Sequence, residues 1–385
     1  MSTPPRWAWA EIDLAAVAHN VGVLRREVAP ADVWAIVKAN GYGHGAEPVA
    51  RAALAAGATG LGVALTAEGV ALRDAGIEAP ILVLSEQPPE HAGALVAHDL
   101  TPTVATAAAI DALAAVGRRG LGVHLKVDTG MHRIGARPED ARALADRIAA
   151  HSPFLRLAGV YTHLAIADEP GDPYTKDQLR RFDDALATLA EVPDVVHAAN
   201  SAGALAHPDA RRTFVRAGIA VYGISPGPDV DDLCRDLRPV MALKARVSFV
   251  KRLHAGDRLS YGLRHAFDRD ATVATVPIGY HDGVRRSLFP GQTVLLGGRR
   301  RPIVGVVTMD QLMIDCGDDD VAVGDEVVLL GRQGAEEIRA EEWAARLGTI
   351  GYEITCGINP RVPRITVPSA TGPGDGGGLT DRPAL

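Results

Sequence analysis

The stretch VWAIVKANGYGHG, residues 33–45, begins as an apolar run and ends in a lysine followed by a glycine-rich turn. A short apolar run of this kind predicts a buried β-strand. The segment that follows, AEPVARAALAAG, keeps its apolar residues three and four apart, as a helix lying on a sheet does. Because lysine is rarely buried without a partner, Lys38 at the strand end requires an explanation.

Seven more strand segments repeat this pattern, separated by alanine-rich helical segments. The eight predicted strands are residues 34–40, 60–65, 81–85, 101–105, 123–130, 157–165, 195–201 and 214–223. Eight strand–helix units over about 230 residues are typical of a closed (β/α)8 TIM-type barrel, an α/β fold. Strands this apolar suit a parallel sheet that is buried on both faces. A doubly wound open sheet is the alternative.

The composition changes after about residue 240, where β-branched runs alternate with turns rich in Gly, Asp and Arg. We therefore predict a barrel over residues 11–238 and a mainly β C-terminal domain over residues 239–368, joined by the N-terminal residues 1–10. Residues 369–385 are rich in Gly and Pro without periodicity, which predicts a flexible tail.

Charge and composition argue against several classes of protein. The 40 basic and 47 acidic residues give a net charge of −7, so we expect no nucleic-acid partner. The absence of a signal-like or membrane-length apolar run predicts no membrane partner and a cytoplasmic location. Cys234, Cys316 and Cys356 form no CxxC pair, which fits a reducing compartment and predicts that they pack as small apolar groups. No motif indicates a metal.

Polar residues gather at the carboxyl ends of the predicted strands, where barrels of this kind hold their reactive groups. A lysine in an apolar barrel mouth has a lowered pKa, so the Lys38 amine is competent to form a Schiff base with an aldehyde. Pyridoxal phosphate is the common biological aldehyde. The segments ANSAG (199–203) and RAGIAVYG (216–223) supply donors for its phosphate, and Arg216 is a candidate partner for its ring nitrogen.

Nine motifs together resemble the bacterial alanine racemase family, in order and at similar spacing from about residue 7 to 366. They are AIVKANGYGHG, KVDTGMHRIG, YTHLAIADE, ANSAG, VRAGIAVYG, RLSYG, VPIGYHDG, TMDQLMID and GYEITCGINPRVPR. The resemblance implies a pyridoxal-phosphate-dependent isomerase that interconverts L-alanine and D-alanine. It also implies a barrel with a β domain, a homodimer with shared sites, and a supply of D-alanine for cell-wall synthesis.

The resemblance assigns roles residue by residue. Lys38 is the Schiff-base lysine and one catalytic base, Tyr261 of the partner subunit is the other base, and His163 links that tyrosine to Arg216. Arg216 would leave the pyridine nitrogen unprotonated and weaken the ring as an electron sink. The resemblance also assigns the phosphate contacts to Tyr42, Ser201, Gly218, Ile219 and Tyr352, with Asn200 beside them. Arg133 would contact the phenolic oxygen of the cofactor and the substrate carboxylate, and the backbone N–H of Met309 would bind the same carboxylate. Tyr280 would lie at the entrance, and Lys126 is a candidate for carbamylation.

One position departs from the family pattern, and three alternative functions stay open. Val306 stands where many members carry a basic residue, which predicts a less polar entrance and altered substrate breadth. The alternatives are a racemase of serine or another small amino acid, a related amino acid decarboxylase, and a non-enzymatic pyridoxal phosphate carrier. A decarboxylase needs an acidic partner for the ring nitrogen, where this chain has Arg216. A carrier leaves the β domain without a purpose.

Overall fold

Eight parallel strands form a nearly closed barrel, which confirms the predicted fold class. The computed structural model describes residues 6–367, so the predicted tail at 369–385 lies outside the described residues. After β1 (Ala8–Asp13), the barrel strands are β2 (Asp32–Ile36), β3 (Gly60–Val63), β4 (Ile81–Val83), β5 (Thr101–Val104), β6 (Leu121–Lys126), β7 (Leu155–Tyr161), β8 (Val195–His197) and β9 (Phe214–Ala217). Their order is β8-β7-β6-β5-β4-β3-β2-β9. The Thr213 amide donates to the Val196 carbonyl at 3.0 Å across the remaining seam, so the open sheet is wrong.

Helices on the outside of the barrel bury the apolar stripe that their sequences predict. They are α1 (Leu14–Val28), α3 (Ala46–Ala55), α4 (Thr66–Asp74), α5 (Ala92–Ala97), α6 (Ala107–Ala115), α7 (Ala141–Ala150), α8 (Tyr174–Thr188) and α9 (Ser201–Ala206). The short segment α2 (Lys38–Tyr42) is instead a turn that follows β2. In α8, Leu179, Phe182 and Leu186 are buried at spacings of three and four residues. The Asp13 carboxylate caps α1 by accepting from the Ala15 and Ala16 amides.

A second, mainly antiparallel sheet follows the barrel. Its strands after the barrel are β10 (Met241–Arg246), β11 (Phe249–Leu253), β14 (Ala271–Val276), β15 (Thr293–Leu296), β16 (Arg299–Val304), β17 (Leu312–Gly317), β18 (Glu326–Gln333), β19 (Glu336–Ile338) and β20 (Arg364–Val367). Between β11 and β14, β12 (Arg258–Leu259) and β13 (His265–Ala266) pair as a separate two-stranded sheet, and α10 (Ala340–Leu347) and α11 (Gly351–Cys356) precede β20. Strand β1 pairs antiparallel with β10 and parallel with β20. The chain therefore enters through the β sheet, forms the barrel, and returns to the same sheet.

Two of the three cysteines pack as predicted. Cys234 and Cys316 are buried, but Cys356 at the end of α11 is exposed, so the prediction is wrong for that residue. The reason is its position, since α11 buries Gly351, Ile354 and Thr355 and Cys356 lies outside that face. Partial burial still raises the pKa of its thiol, and the nearby Lys38 ammonium offsets this only in part. Among residues 6–367, no helix combines the length and the apolar character needed to cross a bilayer.

Candidate active site

Lys38 lies directly after β2 and begins a turn, α2, whose backbone is left-handed. Ala39, Asn40, Gly41 and Tyr42 all have φ between 51° and 61°. A left-handed conformation costs roughly 1–2 kcal/mol for each residue with a side chain. Four in succession persist only where the surrounding structure holds them.

Groups from both domains hold this turn. The Glu68 carboxylate accepts the Ala39 amide at 2.6 Å, and Arg364 Nε donates to the Gly43 carbonyl at 3.0 Å. Gly43 has φ 86°, and a Cβ there would collide with the Thr355 carbonyl in α11. Only glycine permits this approach, so the β domain presses directly on the end of the Lys38 turn.

Two lysines share the mouth of the barrel. Burial lowers the pKa of Lys38, and the nearby charge of Arg133 lowers it further. Lys126 is buried at the end of β6, where burial first, and then the charges of Arg216, Arg133 and Lys38, lower its pKa to about 7. Its ammonium donates to the Leu84 carbonyl at 3.2 Å. Both amines therefore have a larger neutral, nucleophilic fraction than a surface lysine.

Arg216 in β9 is 3% exposed and joins two histidines. It donates to His197 Nδ1 at 2.7 Å and to His163 Nδ1 at 3.1 Å, and its remaining bonds go to backbone carbonyls. Because a guanidinium can only donate, both Nδ1 atoms accept, and each ring carries its proton on Nε2. His197 Nε2 then donates to His124 Nδ1 at 3.0 Å. The arginine thus sets the tautomers of a buried chain of three histidines.

These histidines are neutral for a physical reason. Burial and the charge of Arg216 hold the pKa values of His163 and His197 well below the ordinary range. Burial also lowers the pKa of His124 to about 4 and that of Arg216 to about 10. In the described part of the chain, no carboxylate bonds to Arg216, so the barrel mouth carries uncompensated positive charge. A ligand with negative charge suits such a site.

A small cradle lies at the ends of β8 and β9. The Ser201 hydroxyl accepts the Gly218 amide at 2.9 Å and the Ala220 amide at 3.3 Å, which fixes the loop before Ile219. Asn200 caps α9 by accepting the Gly203 amide at 2.9 Å. The structure therefore brings the predicted residues of this cradle together, although the side-chain oxygen of Asn200 is occupied by its hydrogen bond to the helix end.

Two tyrosines complete the cradle. A Cβ on Gly218 would lie 2.6 Å from the Tyr42 hydroxyl, so the glycine leaves the space that this hydroxyl occupies. The Tyr42 and Tyr352 rings lie 6.0 Å apart between centroids. Within residues 6–367 neither hydroxyl has a hydrogen-bond partner, although the Tyr42 ring is buried. Two free hydroxyls beside a glycine loop are typical of a site for an anionic ligand.

The structure does not bring the β-domain candidates to the barrel mouth of the same chain. Tyr261, Met309 and Tyr280 are 74%, 52% and 41% exposed. Tyr261 lies in a strained turn, since Ser260 has φ 64° and Leu263 has φ 48°. The turn is fixed because the Ser260 hydroxyl donates to a backbone carbonyl of the neighbouring strand connection at 2.8 Å. Its tyrosine is thereby presented outward.

Met309 and Tyr280 belong to two loops that pack together. The Tyr280 amide donates to the Thr308 carbonyl at 2.9 Å, and the His281 amide donates to the Met309 carbonyl at 3.1 Å. The Met309 amide has no acceptor within the described residues. An exposed, unsatisfied backbone donor next to an exposed tyrosine is available to a ligand or to another chain.

Arg133 is exposed, and among the described residues it forms no hydrogen bond or ion pair, including none with Lys126. Its charge nevertheless lowers the pKa values of both Lys38 and Lys126, so it lies on the same rim. A neutral or positive Lys126 gives the guanidinium nothing to bind.

Sequence reasoning missed several residues of this site. They are Glu68, His124, His197, Cys356 and Arg364. A signal existed for His124, because alternation along a strand places it on the same face as Lys126. Arg364 lies inside the quoted motif GYEITCGINPRVPR and His197 lies in the predicted strand 195–201, but their partners are distant in sequence and no local pattern reveals them.

Comparison with known proteins identifies the family. The family description "Alanine racemase, N-terminal domain" matches residues 12–226, and "Alanine racemase, C-terminal domain" matches residues 240–366. An alanine racemase of Symbiobacterium thermophilum is 51% identical over 93% of this chain and 97% of its own. A crystal structure of alanine racemase from D-cycloserine-producing Streptomyces lavendulae is 39% identical, covers 96% of this chain and 98% of that one, and has a TM-score of 0.90.

A barrel and β domain of this kind, with a lysine at the mouth of the barrel, define the class of protein. The chain belongs to the alanine racemase family, a family of isomerases, which confirms the resemblance found in the motifs. A histidine racemase from Leuconostoc mesenteroides has the same fold, with 32% identity, a TM-score of 0.87, and coverage of 95% of this chain and 99% of that one.

Proposed function

We propose that the protein interconverts L-alanine and D-alanine with pyridoxal phosphate, as a head-to-tail homodimer with two shared sites. Lys38 of one subunit and Tyr261 of the partner subunit are the two bases. Racemisation removes the α-proton from one face and returns a proton to the other, so the reaction requires two bases on opposite sides.

The position of Tyr261 carries this proposal. A large aromatic side chain that is 74% exposed, on a turn strained at two non-glycine residues, is held toward a partner rather than toward its own core. Among the described residues, Lys126 also lies at the barrel mouth but donates to the Leu84 carbonyl, and the exposed Tyr261 does not reach the mouth of its own chain. In a two-fold symmetric dimer, the Tyr261 turn of each subunit can lie at the Lys38 barrel mouth of the other subunit.

The residues at the barrel mouth fit pyridoxal phosphate. Lys38 has the lowered pKa that covalent attachment of the aldehyde requires. Ser201, Gly218 and Ile219 form the cradle that would hold the phosphate, where the Gly218 position leaves space beside the free Tyr42 hydroxyl. Tyr352 and Asn200 would lie beside the phosphate, and Arg133 would contact the phenolic oxygen. When bound, the cofactor supplies a conjugated ring that withdraws electrons from the substrate Cα.

Arg216 would face the ring nitrogen as a donor that never gives up its proton. It also holds His163 with the proton on Nε2, so this histidine donates to the oxygen of Tyr261 of the partner subunit. A donor at the tyrosine oxygen favours the deprotonated form and lowers the tyrosine pKa toward neutral pH. Met309 of the partner subunit, through its free amide, and Arg133 would bind the substrate carboxylate, with Tyr280 of the partner subunit at the entrance.

A racemase of another amino acid is the second candidate. The likeness to a histidine racemase shows that this fold occurs with a different named substrate. The apolar Val306 at the proposed entrance points in the same direction. Serine is the first alternative to test, because it adds only a hydroxyl to alanine.

Further proposals extend the sequence predictions. We place the domain division at residues 238 and 239, since the antiparallel sheet resumes with β10 at Met241. We assign the described part of residues 1–10 to the β domain, since β1 pairs with β10. We also propose a cytoplasmic enzyme that supplies D-alanine for the cell wall.

The test is racemisation of a panel of amino acids by purified holoenzyme and two variants. Lys38→Ala is expected to lose the protein-bound cofactor absorbance that borohydride bleaches. Tyr261→Ala is expected to keep that absorbance and to lose racemisation by about 100-fold or more. Alanine should be the best substrate. A protein that never acquires cofactor absorbance, or a monomer that racemises alanine at the full rate, would contradict the proposal.

A further inference from the structure

Residues 358–364, here called the arginine segment, contact two distant parts of the molecule. At one end, Arg364 Nε donates to the Gly43 carbonyl at 3.0 Å, which ties the segment to the turn that carries Lys38. The other N–H groups of Arg364 donate to the carbonyls of Ile358, Asn359 and Val362 at 2.6–2.8 Å. Arg364 therefore makes the segment rigid and fixes it to the barrel.

Arg361 faces the opposite way, toward the exposed loops of the β domain. Its Nε donates to the Asp282 carboxylate at 2.6 Å, and its Nη2 donates to Asp310. Asp282 follows Tyr280 by two residues, and Asp310 directly follows Met309. One guanidinium thus joins the two loops that present these exposed residues.

The Asp282 carboxylate is a buried anchor with several hydrogen-bond partners, unlike the carboxylate of a surface ion pair. It is fully buried, and it also binds Arg6 at 2.6 and 2.8 Å and the Gly279 amide at 3.0 Å. Burial raises its pKa, but hydrogen bonds from Arg6 and Arg361 outweigh burial and bring the pKa to about 2. The carboxylate therefore keeps its charge at neutral pH, and breaking such a pair is far more damaging than breaking an exposed one.

Arg361 is the side chain that connects this buried carboxylate to the Met309 loop, in addition to the backbone bonds from Tyr280 and His281 to Thr308 and Met309. Gly279 packs so closely on Thr308 and Met309 that a Cβ would collide with their backbone. The Asp310 side chain is more than half exposed, and Arg361 is its only ion-pair partner among the described residues. Among the described residues, Arg361 bonds to the residue that follows Met309, whereas Arg6 bonds only to Asp282 and the Pro277 carbonyl, so of the two arginines Arg361 is the one that supports the orientation of the Met309 amide.

We propose that Arg361 is a positioning residue for the active site of the partner subunit, whereas Arg364 positions the lysine turn of its own subunit. This inference rests on the proposed function, in which Met309 and Tyr280 complete the other subunit's site. The arginine segment then links the two active sites of the dimer, because each copy supports one element of each site. We therefore expect a substitution of Arg361 in one subunit to impair the active site that contains Lys38 of the other subunit.

Single variants of the holoenzyme give the first test. Arg361→Gln and Asp310→Asn are expected to raise KM for alanine about tenfold with kcat nearly unchanged, because a misplaced binding group weakens substrate positioning. Arg6→Gln is the matched control, since it also removes a partner of Asp282 but leaves the Asp310 contact intact. It should lower the thermal midpoint as Arg361→Gln does, without the change in KM. Equal KM values in these two variants would overturn the proposal.

Mixed dimers, made with two affinity tags, give the second test. In the first dimer, a Lys38→Ala, Arg361→Gln chain is paired with an unaltered chain, so the only working lysine faces the altered Arg361. In the second, a Lys38→Ala chain is paired with an Arg361→Gln chain, so the working lysine faces an intact Arg361. We expect the raised KM in the first dimer only. Equal KM values in both dimers would contradict action in trans.

A third dimer separates this inference from the proposed function. Pairing a Lys38→Ala chain with a Tyr261→Ala chain restores one complete site only if the sites are shared. No recovered activity would refute the shared-site proposal itself. Recovered activity without a difference between the first two dimers would refute only the role of Arg361. Titration with pyridoxal phosphate completes the set, since Arg364→Gln should weaken cofactor affinity and Arg361→Gln should not.

Discussion

His124 and His197 form a hydrogen bond of 3.0 Å between their rings, inside the barrel and close to the charge of Arg216. Both are neutral, since burial and that charge lower their pKa values. His44 behaves in the same way beneath the Lys38 turn, where burial lowers its pKa to about 4. A set of buried neutral histidines makes stability depend on pH.

Stability should therefore fall in mild acid. The folded protein binds these protons more weakly than the unfolded chain, whose histidines titrate near 6.5, so acid favours unfolding. The stabilisation that these neutral histidines contribute is complete above about pH 6.5 and is lost as the pH falls toward 4. Each such histidine lowers the free energy of unfolding by about 1.4 kcal/mol per pH unit in that window. Denaturant unfolding at several pH values measures the slope.

His124→Asn should reduce the slope of unfolding free energy against pH by the contribution of one proton, because asparagine retains an acceptor for His197 but does not titrate. His132→Asn is the control, since the His132 side chain is 80% exposed. An unchanged slope in His124→Asn would show that His124 is already protonated in the folded protein.

Lys126 should carry a carbamate above neutral pH. Its pKa of about 7 leaves a neutral amine whose nitrogen attacks the carbon of carbon dioxide and loses a proton. The resulting anion would bind Arg133, which has no partner among the described residues. Protein incubated with ¹³C-bicarbonate at pH 8 is expected to show one carbamate carbon signal per chain, which fades below about pH 7. The signal should be absent in Lys126→Met, and its persistence there would assign it to another amine.

Gly43→Ala should impair the Lys38 turn more than backbone strain alone explains. Gly76 is the matched control, because its φ of 79° is similar and an added Cβ there meets nothing within 4 Å. Gly76→Ala is expected to destabilise the protein by about 1 kcal/mol without affecting the cofactor. Gly43→Ala adds a collision with α11, so we expect a loss of about 3 kcal/mol and weaker pyridoxal phosphate affinity. Denaturant unfolding and cofactor titration measure the two effects, and equal losses in both variants would contradict this account.

Val306→Arg should alter the discrimination between alanine and serine. Val306 is buried within its own chain, where it borders a pocket of about 330 Å³ lined by Arg264, His265, Arg286, Phe289, Pro290 and Val306. A third arginine there repels the other two and makes this pocket more polar. We expect the ratio of kcat/KM for serine and alanine to change by about threefold or more. Val306→Leu controls for volume, and unchanged rates in Val306→Arg would exclude a role in substrate choice.

The barrel was predictable because each strand is an apolar run bounded by helical periodicity, and both signals are local. The residues at which the strands end were harder to predict. The segment 195–201 is predicted as strand, but β8 stops at His197 because Asn200 caps α9. Likewise β9 ends at Ala217, since Gly218 and Ile219 turn into a short 3-10 helix. In both places polar or glycine residues draw the backbone out of the sheet.

The order of the elements, the family and the residue types that meet at the barrel mouth can be read from the sequence, because these depend on local patterns and on motifs. The left-handed turn after Lys38 depends on tertiary contacts, since alanine and tyrosine rarely adopt this conformation and even asparagine adopts it only as a single residue. The tautomers of His163 and His197 follow from Arg216, and the two tasks of the arginine segment follow from contacts up to 321 residues apart in sequence. Such contacts exist only after folding has brought the barrel and the β domain together.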